Sequence, residues 1–475
     1  MTTHSQTYTL TINGQSVEGD AGTFEIKNPA TFETIGFAPK SSKAQVDAAV
    51  LAARKAQKSW GAQTHMQRKE YLSKVAAVLT EQTPYLAKWI TQEQGKPMAG
   101  PGAMFEMQAC VGWTQVNGGL DIPVDVVFED DSRRDELHYK PLGVVAAIAP
   151  WNWPLMIAIW QIIPSLRMGN TVVIKPSEYT PIGTLEMVRL MAQVLPAGVL
   201  NTVCGDGSVG QQLVAHPDIN KIMFTGSERT GRKVVEASSN NLARLTLELG
   251  GNDAAVLLDD IDPKAIAQDL FWGSFINMGQ TCACAKRLYV PRRLQDEVVA
   301  ALKEVIANTP MGNGLNDGVL MGPIQNKMQF DKVSGLIEDA KSLGATIEIG
   351  GKPMEGAGYF YPITLVTNIQ DGARLVDEEQ FGPVLPIIAY DDEATAIAKA
   401  NSSSVGLGAS VWSSDSKRAY AVANQLQAGT VWINQHGTIH PMVPFGGAKG
   451  SGYGLEFGIE GLKSVASPQV ISIKK

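Results

Sequence analysis

A charge-free stretch in the first half of the chain reads Leu142-Gly-Val-Val-Ala-Ala-Ile-Ala-Pro-Trp-Asn-Trp-Pro-Leu-Met-Ile-Ala-Ile-Trp-Gln-Ile-Ile-Pro-Ser-Leu166. It is long enough to span a lipid bilayer. Pro150, Pro154 and Pro164 interrupt it, however, and each proline removes a backbone donor, so that carbonyls would stay unpaired in lipid. We therefore predict a buried strand at residues 144–148, a turn, and a helix that enters the core of a protein without membrane contact.

Strands and helices alternate on both sides of this stretch. Before it, short strands at 8–12 and 23–28 precede amphipathic helices at 44–60 and 67–94. After it come strands at 171–174, 199–203 and 222–224, helices near 182–194, 210–216 and from 231, and then helices near 294–306 and 327–343 with strands at 384–390 and 430–433. This alternation predicts an α/β fold with a doubly wound parallel sheet.

Length, composition and net charge indicate the class of protein to which the chain belongs. A length of 475 residues predicts two to three domains with ample core volume. Hydrophobic residues make up 44% and charged residues 18%, as in an ordinary globular enzyme. The 40 basic and 47 acidic residues give a mild net charge of −7 without a basic block, which argues against a nucleic-acid partner.

The cysteines and the N-terminal residues indicate the cellular compartment in which the protein is expected. The four cysteines, Cys110, Cys204, Cys282 and Cys284, form no disulfide framework and suit a reducing environment. The first six residues, Met1-Thr-Thr-His-Ser-Gln, have neither a positive region nor an apolar region of a signal peptide. We therefore expect a cytoplasmic protein.

The segment Asn277-Met-Gly-Gln-Thr-Cys282-Ala-Cys284 follows an amphipathic helix and precedes a strand. Gly279 breaks the helix and allows a sharp turn. A cysteine on such a turn can be held rigidly with its sulfur facing a cavity, which is the placement that a thiol nucleophile needs. An inert, buried cysteine is the alternative. The six histidines lie far from the cysteine pair in sequence, so we expect no metal.

Two further segments follow strands and suit ligand binding. Phe224-Thr-Gly226-Ser227 lies between a strand and a helix, whose N-terminus offers free N–H groups to a pyrophosphate. Lys175-Pro-Ser-Glu178 also follows a strand, where open α/β sheets bind ligands. An ordinary turn and a solvated loop are the respective alternatives.

Three polar residues sit at turns from which their side chains can reach a cavity. Glu248 precedes two glycines, and a buried carboxylate there would have the raised pKa of a general base, with a surface turn as the alternative. Asn152, in a proline-braced turn, can donate to an oxyanion or cap the next helix. Glu379 and Phe381 come just before a strand, where they could contact a ligand. The alternative is an acidic surface loop with one anchoring aromatic residue.

Taken together and in this order, the motifs resemble the aldehyde dehydrogenase superfamily over residues 28–470. The spacing between the Glu248 and Cys282 motifs is also similar to the family's. The matching segments are Pro150-Trp-Asn-Trp-Pro154, Lys175-Pro-Ser-Glu178, Phe224-Thr-Gly-Ser227, Glu248-Leu-Gly-Gly251, Gly279-Gln-Thr-Cys282, Glu379-Gln-Phe-Gly-Pro383 and Pro444-Phe-Gly-Gly447.

The resemblance implies three parts. Residues 1–120 and 142–249 would form a doubly wound, Rossmann-like cofactor domain, and residues 250–447 a second α/β domain that carries the catalytic cysteine. Residues 121–141 and 464–475 would form a small β oligomerisation element that bridges subunits of a homodimer or homotetramer.

The resemblance also implies the chemistry. Cys282 would attack an aldehyde to form a thiohemiacetal, whose oxyanion Asn152 and the Cys282 backbone N–H would hold, and hydride loss would leave a thioester. Glu248 would activate the water that releases the carboxylic acid. Relatives that transfer the acyl group to coenzyme A typically lack this glutamate, and a silent relative would lack one of the three residues. A hydrolytic, non-acylating enzyme is therefore expected.

By the same resemblance, NAD is the expected cofactor, and NADP is possible. Glu178 should repel a 2′-phosphate, whereas Lys175 and the small Ser177 can accommodate one. The implied contacts are Lys175 and Glu178 at the adenine ribose, Gly226 and Ser227 at the pyrophosphate, and Glu379 with Phe381 at the nicotinamide ribose.

The implied substrate tunnel is apolar and aromatic. Relatives that act on succinate semialdehyde usually carry an arginine at the position of Trp160, so we expect an uncharged aromatic or aliphatic aldehyde, with a carboxylate-bearing semialdehyde as the alternative. His436 and His440 are expected to add polarity at the tunnel mouth. The implied lining residues are Trp153, Ile157, Trp160, Thr281, Ala283, Ile439 and Phe445.

Overall fold

A computed structural model describes residues 6–475; residues 1–5, on which most of the signal-peptide prediction rests, lie outside this range. Within residues 6–475, no helix is both long and apolar enough to cross a membrane. The charge-free stretch instead forms a buried strand and the helix Pro154–Arg167, all 14 residues of which are buried.

The first half of the chain alternates between strands and helices as predicted. Its elements are β1 (Leu10–Ile12), β2 (Gln15–Val17), β3 (Thr23–Lys27), β4 (Thr34–Pro39), α1 (Lys43–Gly61), α2 (His65–Glu81), α3 (Thr83–Gln94), α4 (Ala103–Gly119), β5 (Asp125–Glu129), β6 (Arg133–Pro141), β7 (Val144–Ile148), α5 (Pro154–Arg167), β8 (Thr171–Lys175), α6 (Pro181–Met191), β9 (Leu200–Thr202), α7 (Gly207–Val214), β10 (Lys221–Thr225), α8 (Glu228–Ser238) and β11 (Arg244–Glu248).

The second half continues the alternation. Its elements are β12 (Asp253–Leu257), α9 (Pro263–Phe275), β13 (Ala285–Pro291), α10 (Gln295–Ala307), α11 (Lys327–Ser342), β14 (Thr346–Ile349), β15 (Thr364–Thr367), α12 (Arg374–Asp377), β16 (Val384–Tyr390), α13 (Glu393–Asn401), β17 (Val405–Gly406), β18 (Gly408–Trp412), α14 (Ser416–Ala423), β19 (Thr430–Ile433), β20 (Ala448–Lys449), β21 (Gly452–Tyr453), α15 (Gly458–Ser464) and β22 (Ala466–Lys474).

Two largely parallel sheets dominate the described part of the chain. The first has the order β21-β11-β10-β7-β8-β9 and is parallel except at β21. The second has the order β14-β15-β16-β13-β12-β18-β19 and is parallel except at β14. Both are flanked by helices, which confirms the predicted α/β class with doubly wound parallel sheets.

A third, antiparallel sheet has the order β22-β6-β5. It joins the end of the chain to residues 125–141, and β22 pairs with β6 over nine residues, from Ala466 opposite Pro141 to Lys474 opposite Arg133. Its outer strands expose apolar side chains, among them Val127, Phe128 and Val470.

Two local differences from the sequence analysis have physical reasons. The helix expected over residues 67–94 is divided, because α2 ends at Glu81 and α3 starts anew with Pro84, which lacks a backbone donor, in its first turn. Helix α4 was not anticipated at all. It lies between α2 and α5 and has buried residues on several faces, so that it lacks the one-sided pattern by which a surface helix is recognised.

The sheets meet where the predicted site residues are. Lys175 and Glu248 are the last residues of β8 and β11, at the carboxyl edge of the first sheet. Asp253 and Ala285 are the first residues of β12 and β13, at the amino edge of the second. The turns between these edges carry the side chains described next.

Candidate active site

The Cys282 turn has a left-handed backbone. After α9 ends at Phe275, three consecutive residues have positive φ: Asn277 at 52°, Met278 at 60° and Gly279 at 67°. Two of them are not glycine, and such residues are strained unless the surroundings hold them. At Gly279 a side chain would also collide with the Gly382 carbonyl and the Lys286 amine. The predicted sharp turn is therefore present and requires this glycine.

Amide side chains bind this turn to Asn152. The Asn152 Nδ2 donates to the Gln280 carbonyl at 2.9 Å, and the Asn277 Nδ2 donates to the Asn152 carbonyl at 2.9 Å. The Gln280 side chain donates to the Asn277 carbonyl at 3.0 Å and accepts from the Gln325 N–H at 2.9 Å. These reciprocal bonds fix Asn152 and the backbone before Cys282 relative to each other.

Cys282 differs from the other three cysteines because the residue is only partly buried, whereas Cys110, Cys204 and Cys284 are buried. Burial of the thiol raises the pKa of Cys282 well above its usual value, and the carboxylates of Glu248, Asp253 and Glu379 raise it further. The resting thiol is therefore protonated at neutral pH and needs a base to react.

Glu248 is a buried carboxyl group without a counter-charge. Its exposed fraction is 4%, and neither of its oxygens has a hydrogen-bond partner of normal geometry. Burial raises the pKa of Glu248 well above its ordinary value, repulsion from Glu456 raises it further, and the Gly447 N–H opposes the shift. A buried, unpaired carboxyl that interacts with a thiol has the properties of a general base.

A buried ion pair supports the Asn152 turn, and the sequence analysis missed it. The Lys96 Nζ lies 2.6 Å from Glu106 and donates to the Asn152 carbonyl at 2.8 Å, while it sits 3.4 Å from the centre of the Trp153 ring. Glu106 accepts from the Leu155 and Met156 N–H groups at the start of α5. Lys96 and Glu106 are not spaced three or four residues apart on one helix, so no periodicity in the sequence predicts that they pair.

The residues expected at the cofactor gather at the carboxyl edge of the first sheet. The Lys175 Nζ is 3.7 Å from Glu178, and the Gly226 N–H donates to the Glu248 carbonyl at 3.0 Å. Ser227 caps helix α8, and Ser177 accepts from the Tyr179 N–H at 3.3 Å.

Glu379 and Phe381 approach the same edge from the second sheet. Glu379 accepts from the Gly251 N–H at 3.0 Å, and burial raises the pKa of this carboxyl to about 7. Phe381 contacts Trp151 edge-on at 5.4 Å between ring centres.

The residues expected in the substrate tunnel pack together. Trp153, Ile157, Trp160, Ala283 and Phe445 belong to one apolar cluster, against which Cys282 and Ile439 pack. Thr281 joins them by accepting from the Trp153 Nε1 at 2.9 Å.

Two aromatic residues that the sequence analysis missed belong to this cluster. Phe457 lies 4.7 Å from Trp160, and Trp113 lies 5.6 Å from Trp160 and 5.5 Å from Phe457 between ring centres. Trp113 lies on the unanticipated α4, and Phe457 lies beyond the last matching motif, so only the fold brings them here.

His436 is not at the tunnel mouth, and this expectation was wrong. Its side chain has no solvent exposure and contacts Ser410 and Asp253, whereas His440 is exposed on the same loop. Its place after β19 turns it back toward the second sheet. Among residues 6–475 there is no group of three side chains that could hold a metal ion.

Comparison with known proteins assigns the chain first to a class, the nicotinamide-dependent oxidoreductases of α/β fold, and then to a family. A family model for the aldehyde dehydrogenase family matches residues 16–471. An aldehyde dehydrogenase of Davidiella tassiana is 36% identical over 475 residues, covering 98% of this chain and 95% of the relative. The chain belongs to the aldehyde dehydrogenase family.

Solved structures of aldehyde dehydrogenases support this family assignment. An NAD+ complex of an aldehyde dehydrogenase from Bacillus cereus superposes with a TM-score of 0.95 at 35% identity, covering 99% of this chain and 97% of that one. A betaine aldehyde dehydrogenase from Staphylococcus aureus, solved in complex with NAD+, gives a TM-score of 0.93 at 32% identity and covers 98% of this chain and 94% of that one. The chain is thus an aldehyde dehydrogenase with NAD as its cofactor.

Proposed function

We propose that this enzyme oxidises an uncharged aromatic or medium-chain aliphatic aldehyde to the carboxylic acid, with Cys282 as nucleophile and Glu248 as base. The observation that carries the proposal is the buried, unpaired Glu248 carboxyl, which interacts with the thiol of the one cysteine that is only partly buried. A carboxyl at such a position is costly for stability, so its presence favours a role in chemistry.

In this reaction Glu248 removes the proton of the Cys282 thiol, and the thiolate attacks the aldehyde carbon. The Asn152 amide, held by Gln280, Asn277 and Lys96, donates to the developing oxyanion together with the Cys282 N–H. NAD, held by Lys175, Glu178, Ser227 and Glu379, would supply the acceptor for the hydride that leaves when the thiohemiacetal becomes a thioester. Glu248 passes the thiol proton to solvent and, ionised again, takes a proton from the water that attacks the thioester, so that the acid is released and the Cys282 thiolate leaves.

The residues at the carboxyl edge of the first sheet fit NAD. Ser227 begins an 11-residue helix whose N-terminus suits a pyrophosphate, and Glu178 is partly exposed, as a carboxylate that binds ribose hydroxyls must be. At Gly210 an added Cβ would lie 3.5 Å from the Lys175 side chain, so this glycine leaves room beside the lysine. Glu379 and Phe381 complete the proposed set at the nicotinamide end.

We assign residues 1–120 and 142–249 to the cofactor domain, 250–447 to the catalytic domain, and 121–141 with 464–475 to oligomerisation. The edges at which Lys175, Glu248 and Asp253 lie support an active site between the first two parts. The β22-β6-β5 sheet supports the third.

Two sets of experiments test the chemistry. Cys282→Ala should abolish turnover, and Cys284→Ser should retain it, because Cys284 is fully buried and offers no surface to an aldehyde. Assays with NAD and aldehyde, with and without coenzyme A, should yield the free acid at the same rate. Formation of an acyl-CoA, or full activity in Cys282→Ala, would contradict the hydrolytic mechanism.

The aromatic cluster supports the substrate class. Trp113, Trp160 and Phe457 offer apolar ring surface, at roughly 25 cal/mol per Å² buried, and none of the lining residues is a cation that could pair with a substrate carboxylate. Aromatic faces also attract quaternary ammonium groups. An aldehyde with a trimethylammonium group, such as the betaine aldehyde for which the S. aureus relative is named, is therefore the second candidate.

A panel of benzaldehyde, hexanal, betaine aldehyde and succinate semialdehyde separates these candidates by kcat/KM. We expect the two uncharged aldehydes to lead and Trp160→Arg to improve succinate semialdehyde relative to benzaldehyde. A preference of the unmodified enzyme for succinate semialdehyde by about tenfold, roughly 1.4 kcal/mol, would show that this account of the tunnel is wrong.

A further inference from the structure

A histidine and an aspartate are buried directly behind the Cys282 turn, and no step of the proposed reaction uses them. The His436 Nε2 lies 3.4 Å from the Asp253 Oδ2, and neither side chain has any solvent exposure. Asp253 is the first residue of β12, and His436 follows β19. Two buried titratable groups so close to a reactive thiol require an explanation.

The surrounding hydrogen bonds determine the tautomer of His436. The Trp412 Nε1, which can only donate, donates to the Ser410 Oγ at 2.9 Å. The Ser410 hydroxyl, 2.8 Å from the His436 Nδ1, can donate to that nitrogen or accept from it. Because a carboxylate can only accept, Asp253 beside the Nε2 favours the arrangement in which Ser410 donates to the Nδ1. With Nδ1 as acceptor, the Nε2 of the neutral ring carries the proton and directs it at Asp253.

Asp253 has few other partners. Its Oδ1 accepts from the Gly408 N–H at 3.0 Å, whereas its Oδ2 and the His436 Nε2 have no partner at normal hydrogen-bond geometry apart from their approach to each other. A buried carboxylate with one backbone donor is unfavourable unless a further group offsets its charge. The imidazole N–H is the nearest such group, and the Lys286 cation acts on the same carboxylate from beyond ion-pair distance.

The pair is in close contact with the nucleophile segment. An added Cβ at Gly251 would lie 2.5 Å from the Cys282 carbonyl and 2.7 Å from the Asp253 Oδ1, so only a glycine separates the two. A Cβ at Gly437, next to His436, would lie 2.8 Å from the Ala283 carbonyl. The field of Asp253 therefore reaches the thiol, and it adds to the burial that raises the pKa of Cys282.

Contacts of the His436 side chain come from four elements, namely Gly273 of α9, Ser410 of β18, Trp432 of β19 and Asp253 of β12, and Asp253 is the charged member of this set. Further titratable groups, Lys286, Glu379, Cys282 and Cys284, interact electrostatically with Asp253.

We propose that His436 and Asp253 form a buried pair that tunes the nucleophile: the His436 N–H screens the Asp253 carboxylate, so that Cys282 ionises more readily than it would beside a bare carboxylate. This inference rests on the proposed role of Cys282. His436 touches neither substrate nor reacting atoms and is thus a positioning residue.

The test is the pH dependence of Cys282 alkylation by iodoacetamide, followed by mass spectrometry of the Cys282 peptide in the full-length enzyme. Asp253→Asn removes the charge and should lower the midpoint by about 0.5 unit or more, which is about threefold faster alkylation below the midpoint. His436→Phe keeps a ring against Trp432 but removes the N–H, and should raise the midpoint by a similar amount.

His436→Gln restores a donor and should bring the midpoint back toward that of the unmodified enzyme. His440→Phe, on the same loop but exposed, is the matched control and should change nothing. A merely loosened core would admit water to the thiol and lower the midpoint in both Asp253→Asn and His436→Phe, whereas the proposal requires the two midpoints to move in opposite directions. In the double variant the midpoint should follow Asp253→Asn, because no carboxylate is left to screen.

An unmoved midpoint in Asp253→Asn overturns the proposal, as does an unmoved or lowered midpoint in His436→Phe. If His436→Phe does not fold, Asp253→Asn and His436→Gln decide the matter. Alkylation requires no turnover, so these outcomes are independent of the Cys282→Ala assay, whose failure would instead disprove the nucleophile itself.

Discussion

At the scale of single residues, two buried carboxyl groups determine when the proposed base can act. Burial raises the pKa of Glu248 well above its ordinary value and that of Glu456 to about 8, and repulsion between them contributes at Glu248. A general base works only when it is deprotonated, so turnover should rise with pH on the acid side of its profile. The pH at which activity rises on the acid side of the profile therefore depends on how strongly its surroundings raise the pKa of Glu248.

Glu456→Gln should shift the acid limb of the kcat–pH profile to lower pH, by about 0.5–1 unit, because a neutral neighbour no longer opposes ionisation of Glu248. Steady-state rates between pH 5 and 9 measure the shift. Glu460→Gln is the control: its carboxylate is exposed and pairs with Lys463, so its profile should match that of the unmodified enzyme. An acid limb that stays in place in Glu456→Gln would mean that the two carboxyls are not coupled.

Individual site residues could be predicted from the sequence where neighbouring residues in the chain determine their placement. Cys282 needs the left-handed turn at Gly279, and Glu248 is followed closely by two glycines at which a side chain would collide with Glu379 or with the Cys282 carbonyl, so both are visible within a few residues. Glu456 and Phe457 reach the site because the backbone of Phe445 and Glu456 pairs, with hydrogen bonds of 3.0 and 2.8 Å. No local pattern encodes that pairing, so sequence reasoning could not find them.

At the scale of elements, the start of α5 depends on the buried Lys96–Glu106 pair. Glu106 accepts from two N–H groups of the first turn of α5, and Lys96 supports both Glu106 and the Asn152 carbonyl. Lys96→Met leaves Glu106 buried without its partner, which should lower the free energy of unfolding by about 3–5 kcal/mol. Denaturant unfolding measures this loss.

Lys43→Met serves as the control for that measurement. Lys43 pairs with Asp47 on the exposed face of α1, with 73% and 44% of the two side chains accessible. Exposed pairs of this kind contribute roughly 0–1 kcal/mol. Equal losses in the two variants would show that the buried pair does not support α5 as described.

Elements whose residues form a regular hydrophobic pattern were predicted correctly from the sequence, and elements without such a pattern were not. The strands expected at 384–390 and 430–433 are β16 and β19 with the same bounds, because both segments are short and rich in β-branched and aromatic residues, although Pro386 lies within β16. Helix α4 went unrecognised because tertiary packing buries it on several faces. A helix defined by its neighbours has no periodicity of its own to detect.

At the scale of the whole molecule, the β22-β6-β5 sheet has apolar edges that suit assembly into a homodimer or homotetramer. Ile471 and Ile473 of β22 are 39% and 43% exposed and lie on one face, and Val126 and Phe128 of β5 are each 43% exposed. Exposed edge strands with apolar side chains are sites for pairing with another chain. We therefore expect the assembly to form through this sheet.

Ile471→Lys combined with Ile473→Lys should reduce the mass in light scattering after size exclusion to that of the monomer, while the far-UV spectrum stays unchanged. Met328→Lys is the control, since Met328 is an exposed apolar residue of α11, 61% accessible, outside this sheet. If the lysine pair leaves the mass unchanged, the subunits associate through another surface.

The central claim is that Glu248 completes a reaction that Cys282 begins, and single-turnover kinetics of Glu248→Gln test it most directly. The variant is mixed with NAD and aldehyde, NADH is followed by absorbance, and the intact protein mass is recorded over time. The account predicts about one NADH per active site, formed more slowly than in the unmodified enzyme because the Cys282 thiol must lose its proton to solvent instead of to Glu248. An acyl adduct on Cys282 should then decay slowly, because no carboxylate activates water. Full steady-state turnover without an adduct would contradict it.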